Sequence, residues 1–179
     1  VSLGVVAGRL AACELPEWLR RASIALGAAK RRPGSPPVVF SAAMLDSSLE
    51  HARLVTALRR ALQLNEFVVH YQPIVDLANQ RPIGVEALVR WQSPERGLVP
   101  PGVFIPVAEE SDLILEIDER VLRLACSEVA RQLEALPDDF DLHVNLSPRQ
   151  LIQANFFSTL EEILRTSGLP PERLTLELT

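Results

Sequence analysis

The sequence predicts an α/β fold in which strands alternate with helices, as in a parallel sheet or a (β/α) barrel. Three observations predict it. From residue 67 onward, strand-like and helix-like runs follow one another in turn. The strands share one pattern, apolar on one face with an isolated acid, amide or cation on the other. The helices between them carry apolar residues at steps of three and four.

Taken in order, "VSLGVV" (1–6) predicts a short strand. "ELPEWLRRASIALGAAK" (14–30) predicts a helix, because Leu15, Trp18, Leu19, Ala22, Leu26 and Ala29 keep the helical period. Pro16 is allowed in its first turn. "RRPGSPP" (31–37) breaks it, and "VVF" (38–40) is a strand. A helix over 43–63 follows, with the stripe Leu45, Leu49, Ala52, Val55, Leu58 and Leu62 and a charged face of Glu50, Arg53, Arg59 and Arg60. It lies between two different patterns, so it reads as a connector between domains.

"FVVHYQPIVDL" (67–77) and "PIGVEALVRW" (82–91) are strands joined by the hairpin-like link "ANQR". "PPGVFIPVAEES" (100–111) is a short helix. "ILEIDERVLRLACSEVARQLEAL" (114–136) is a long amphipathic helix, with Ile117, Val121, Leu124, Ala125 and Val129 on one side. "LHVNLS" (142–147) is a strand, "PRQLI" a short helix, and "FFSTLEEILRTS" (156–167) another helix. "GLPPE" (168–172) is a turn before a last strand, "LTLELT" (174–179).

Alternation gives these strands a polar face. Glu86 and Arg90 look the same way, about 13 Å apart along an extended strand. His143 and Asn145 share a face, as do Thr175 and Glu177, and Val68, His70 and Gln72. Each strand is expected to place a polar group near its C-terminal end, where a (β/α) barrel builds its active site. Glu86, Asn145 and Glu177 offer hard oxygen donors, suited to Mg²⁺, Mn²⁺ or Ca²⁺ rather than to a thiolate metal. Arg90 and Gln72 would read a ligand, and arginine favours phosphate. The bland alternative is a half-exposed sheet whose wet face carries acids without any chemistry.

The 179 residues are 47% hydrophobic and 23% charged, with net charge -5. That suits one domain or two pieces, and it excludes nonspecific binding of a nucleic-acid polymer by a basic surface. A small anionic ligand needs only a few local cations. Cys13 and Cys126 lie far apart in helical patterns and read as buried free thiols, with no disulfide framework or metal spacing. No apolar run reaches the ~18 residues of a membrane span, and no signal peptide is recognisable. The start at Val1, without methionine, reads as mid-strand, so the chain is taken as a fragment. His51, His70 and His143 form no HExxH or triad-like group, and there is no Walker loop. His70 and His143 read as hydrogen-bonded structural residues.

"YQPIVDL", "GVEALVRW", "PPGVFIPVAEESDLI", "VNLSPRQL" and "LTLELT" resemble, in order, the opening motifs of the EAL family of cyclic di-GMP phosphodiesterases. The match runs from about Asn65 to Thr179. The resemblance implies a TIM-like barrel of EAL type that hydrolyses cyclic di-GMP to linear pGpG with Mg²⁺ or Mn²⁺. By position Glu86, Asn145 and Glu177 look like the family's metal ligands, Glu86 being catalytic as well. Gln72, Leu88 and Arg90 look like substrate contacts, Arg90 to a phosphate.

"VSLGVVAG…LPEWLRRASIALGAAKRR…VVF" resembles the C-terminal end of a GGDEF domain, in a degenerate form. Ser23 stands for the family's Asp and Gly27 for its Tyr, while Lys30 matches. This divides the chain into a GGDEF-like remnant at 1–42, a connecting helix at 43–64 and the N-terminal half of an EAL domain at 65–179. A full barrel takes about 250 residues, so the barrel is truncated. The family's Asp-Asp pair, Lys, Glu and Gln would follow Thr179, and the isolated chain is expected to be inactive. Asp112 stands where the family often has Gly, and a local backbone adjustment is expected there.

The parent protein is thus expected to be a phosphodiesterase. The alternative is a degenerate EAL domain that binds cyclic di-GMP without cutting it, or a signalling interaction module. A homodimer through the EAL domain or the connecting helix, and an upstream sensory domain, are the partners this reading allows. Leu49→Asp with Leu58→Asp is the test it suggests for the helix. The expected location is the cytoplasm, or the cytoplasmic face of the inner membrane if a membrane segment lies upstream.

Overall fold

β-branched and aromatic residues in short runs build the strands, and helices with one apolar face cover them. The computed structural model describes residues 1–8, 14–31, 34 and 36–178. The chain divides into two units, Val1–Leu54 and Val55–Thr179. Cys13 and part of the 31–37 break lie outside the described residues.

In the first unit β1 (Gly4–Val5) pairs in parallel with β2 (Val38–Val39). Between them in sequence runs α1 (Leu15–Lys30), which packs on both. Its buried positions are Ala25 and Ala29, whereas Leu15 and Leu19, expected inside, are exposed. Small residues let the helix lie close to a two-residue ribbon that has no width to cover the larger ones. Glu17 in the first turn accepts hydrogen bonds from Arg20 and Arg21, both at 2.7 Å. These guanidinium groups lower its carboxyl to about 2.

The helix α2 (Ala43–Gln63) matches its expected span and contains the Leu54–Val55 division. Its buried residues are Leu54, Leu58 and Ala61, while Leu49 is 56% exposed. The buried line is thus shifted from the expected stripe, with Leu58 common to both.

The second unit is a five-stranded sheet of β3 (Phe67–Val75), β4 (Pro82–Ser93), β5 (Gly97–Val99), β6 (Asp141–Leu146) and β7 (Leu174–Leu178). The order is β3-β4-β6-β7, with β5 pairing the far end of β4. β3 and β4 form the expected hairpin, antiparallel, with Gln72 opposite Glu86. β6 and β7 follow in parallel, with Glu86 opposite His143 and Asn145 opposite Glu177. A three-residue strand such as β5 carries too little pattern to be seen in sequence.

The register is tight at Gly84. A Cβ there would stand 2.6 Å from the Asp141 carbonyl oxygen, so only glycine lets β4 meet β6 at this level.

One sheet face is apolar. Phe67, Ala87, Trp91, Leu142, Val144 and Leu146 point into it and are buried. It is covered by α3 (Pro101–Glu110) and α4 (Ile114–Ala130), and α6 (Phe156–Ser167) packs beside α4. Phe67, Trp91 and Phe104 form a ring cluster with centroids 5.6 to 6.3 Å apart. The Trp91 indole N–H donates to Glu66 Oε2 at 2.9 Å, so its one polar atom is satisfied. On α4 the buried set is wider than one stripe and includes Leu122 and Cys126, whereas Leu124 is only half-buried. The helix touches the sheet on one side and α6 on another, so two of its faces are covered. Burial pushes the Cys126 thiol up to about 12, in keeping with an inert core residue. Among the described residues no helix is long and apolar enough to cross a membrane.

Candidate functional site

The opposite face of the sheet carries the polar residues. With the apolar set fixed against the helices, alternation sends Gln72, Glu86, Arg90, His143, Asn145 and Glu177 to the uncovered side. β6 is the middle strand of the parallel set, so its side chains reach both neighbours.

The Asn145 side chain donates through Nδ2 to Glu86 Oε1 at 2.6 Å. That leaves Asn145 Oδ1 and Glu86 Oε2 without a partner in this pair. Glu177 is opposite Asn145 in register, yet its Oε1 lies 2.7 Å from His143 Nδ1. An ionised carboxylate only accepts, so the imidazole is the donor in that bond. The three oxygen-bearing side chains therefore come from adjacent strands, and the two glutamates are each hydrogen-bonded to a β6 side chain. Among the described residues no three of His, Cys, Asp and Glu converge on a ready-made ion site, so this set needs the Asn145 amide.

Arg90 lies two alternations beyond Glu86 on the same face of β4. It is half-buried, and its Nη1 donates to the carbonyl of Val89 at 2.8 Å. Among the described residues it forms no ion pair with a carboxylate, so most of its donors are open to an anion. Gln72 and His70 are exposed on β3. His143 is hydrogen-bonded as expected, and its particular partner was not legible beforehand.

Placement relative to the strand ends differs from expectation in two ways. Asn145 and Glu177 are penultimate in their strands, near the C-terminal ends as expected. Glu86 is mid-strand, because β4 runs on to Ser93 and pairs with β5. Gln72 is on a strand of opposite direction, so its neighbours toward the C-terminal ends of the parallel strands are N-terminal in β3.

A cavity of about 200 Å³ opens beside this end of the sheet, lined among others by Leu88, Glu109, Asp118, Asn145 and Ser147. Leu88 is half-buried there. Asp118 on α4 is buried and accepts the backbone N–H of Ser147 at 3.0 Å. Its carboxyl is raised above the ordinary range by burial, opposed by the hydrogen bonding from Ser147. Ser147 begins α5 (Pro148–Leu151) two residues after Asn145, so Asp118 ties the end of β6 to α4. Nothing in the helical period singles out Asp118 for this task. Asp112 has φ 60°, the left-handed backbone expected of a residue standing where glycine is common, and it pairs with Arg149 at 2.5 Å.

Comparison with known proteins places the second unit in a family. The chain matches the EAL domain over residues 55–179. It is 37% identical over 163 residues to a protein of Pseudomonas aeruginosa named bifunctional diguanylate cyclase/cyclic di-GMP phosphodiesterase MucR, covering 91% of this chain and 24% of that one. It is 36% identical over 139 residues to the probable cyclic di-GMP phosphodiesterase PdeI of Escherichia coli, covering 76% and 18%. A solved structure of the PaMucR phosphodiesterase in complex with c-di-GMP aligns with TM-score 0.66 and 40% identity, over 69% of this chain and 50% of that one. The chain therefore spans a quarter or less of these two curated relatives.

Proposed function

The chain belongs to the EAL-domain family, and from that premise we propose that its protein hydrolyses cyclic di-GMP to linear pGpG. The observation that carries this reading is that Glu86, Asn145 and Glu177 stand on one face of three adjacent parallel strands, with Arg90 on the same face. Two carboxylates and an amide oxygen suit a hard divalent cation, Mg²⁺ or Mn²⁺, and offer nothing to a thiophilic one.

In this reading Glu86, Asn145 and Glu177 hold the cation. Asn145 uses its N–H on Glu86 and keeps Oδ1 for the ion. A bound cation lowers the pKa of a water and neutralises charge on the phosphodiester. The chain's own residues do the rest of what this half of the site can do. Arg90 turns from the Val89 carbonyl to a non-bridging phosphate oxygen and stabilises charge as it develops. Leu88 supplies an apolar contact beside the dinucleotide, and Gln72, opposite Glu86, a polar one. Adding one water across one of the two phosphodiester bonds opens the ring to the linear product.

The test is cyclic di-GMP turnover by the full-length protein with Mg²⁺ or Mn²⁺. Glu86→Ala should abolish it and leave the fold intact, because Glu86 is on the uncovered face. Intact cyclic di-GMP together with measurable binding would replace the enzyme with a receptor.

We further read residues 1–42 as the C-terminal end of a degenerate GGDEF-like domain with a regulatory or structural role. The parallel pairing of β1 with β2 around α1 supports it. Residues 43–64 then serve as the connecting helix and 65–179 as the first half of a TIM-like barrel. A homodimer and an upstream sensory domain complete the proposal.

A further inference from the structure

We propose that His143 is a positioning residue that fixes the Glu177 carboxylate for a divalent cation. The inference rests on the reading of Glu86, Asn145 and Glu177 as ion-holding groups.

The polar face of β6 presents two side chains, His143 and Asn145, to two carboxylates on the flanking strands. Straight across the sheet, His143 faces Glu86 and Asn145 faces Glu177. The hydrogen bonds do not follow the register. Asn145 reaches diagonally to Glu86 at 2.6 Å, and His143 reaches diagonally to Glu177 at 2.7 Å. The central strand thus hands one N–H to each carboxylate, and each carboxylate keeps a second oxygen.

The Glu177 carboxylate is the more exposed partner in its pair. Its side chain is 43% exposed, against 24% for His143. A long, half-exposed carboxylate samples several rotamers, and one hydrogen bond from a stiffer ring restricts them. A carboxylate ligand hydrogen-bonded by a neighbour in this way commonly loses 10- to 100-fold in metal affinity when the neighbour is removed. His143 is not assigned as a ligand itself. Its Nδ1 is occupied by Glu177, and among the described residues no three of His, Cys, Asp and Glu form an ion site.

The experiment is Mn²⁺ binding to the full-length protein, followed by the electron paramagnetic resonance of the free ion, without substrate. His143→Ala should weaken binding about 10- to 100-fold. His143→Asn, which keeps an N–H donor at the place of Nδ1, should recover part of that loss. Thermal melting of both variants should stay within a few degrees of the parent. Parent-like affinity in His143→Ala overturns the proposal. So does a His143→Asn variant no better than His143→Ala, or melting that falls in step with affinity, since each points to a merely structural role. If the parent binds no Mn²⁺, the ion-site reading falls and this one with it. If the parent binds and Glu86→Ala does not, a null result at His143 overturns this inference alone.

Discussion

A single buried carboxylate shows how local chemistry shapes the site. Asp118 holds the Ser147 N–H, so removing it exposes a cost at the end of β6. Asp118→Ala leaves that buried N–H unpartnered and should destabilise the protein by about 1–3 kcal/mol. Asp118→Asn keeps an acceptor oxygen and should cost less. The pH dependence distinguishes the two effects. Burial raises the Asp118 pKa above its ordinary 3.8. Between the two values the folded chain keeps a proton that the unfolded chain has lost. This group's contribution therefore declines as pH rises through that window and levels off above the folded-state pKa. Urea midpoints across that window should show the decline in the parent and a flatter profile in Asp118→Asn. Alternation put Glu86 with Arg90, Asn145 with His143 and Glu177 with Thr175 on the polar side of each strand, and that much was legible in the sequence; their common face needs the register of the sheet. The His143–Glu177 bond was not legible, because it is diagonal and depends on the register of two strands far apart in the chain. Asp118 was hidden for a related reason: its partner is a backbone group, which has no sequence signal.

Elements were legible where their pattern was long. The spans of α2 and α6 coincide with their periodic runs, and the β3–β4 hairpin with its turn. The errors lie in which side of an element is covered. On α2 the expected stripe included Leu49, but the buried line is Leu54, Leu58 and Ala61. Helical period fixes a face only to within about one residue when apolar residues flank it on both sides. This changes the mutational test of the helix. Leu58 is fully buried, so Leu58→Asp would report unfolding rather than association. Leu58→Ala should cost about 2–5 kcal/mol by removing core contacts. Leu49→Asp should change stability by no more than about 0.5 kcal/mol. Urea midpoints check both. Leu49→Asp alone then reads the oligomeric state: a lighter species by light scattering would support dimerisation through this helix, and an unchanged mass would remove Leu49 from any interface.

At the scale of the whole molecule, the second unit is a sheet with helices on one side and its charged face on the other. In the proposed reading Arg90 and the acid-bearing cluster give that face two functions that can be separated. In the proposed reading Arg90→Ala removes a charge-assisted contact to phosphate worth about 1.5–3 kcal/mol, so cyclic di-GMP binding should weaken roughly 10- to 100-fold. Arg90→Lys keeps the charge but not the planar fork and should recover only part. Neither should alter Mn²⁺ binding, which isothermal titration in the absence of substrate would verify. The acid-bearing cluster should couple to global stability instead. An ion that binds only the folded state stabilises it by mass action, about 2.7 kcal/mol at a hundredfold excess over Kd. For a domain of about 150–250 residues that is a rise in melting temperature of roughly 5–10 °C, to be followed in the full-length protein. The net charge of -5 means that any salt could raise the melting point slightly by screening. The comparison must therefore be Mn²⁺ against sodium chloride of equal ionic strength. A rise specific to Mn²⁺, reversed by chelation and absent in Glu86→Ala and Glu177→Gln, assigns the effect to this face. An equal rise in the variants would place the ion elsewhere and leave the acids of the sheet as solvated residues without a metal.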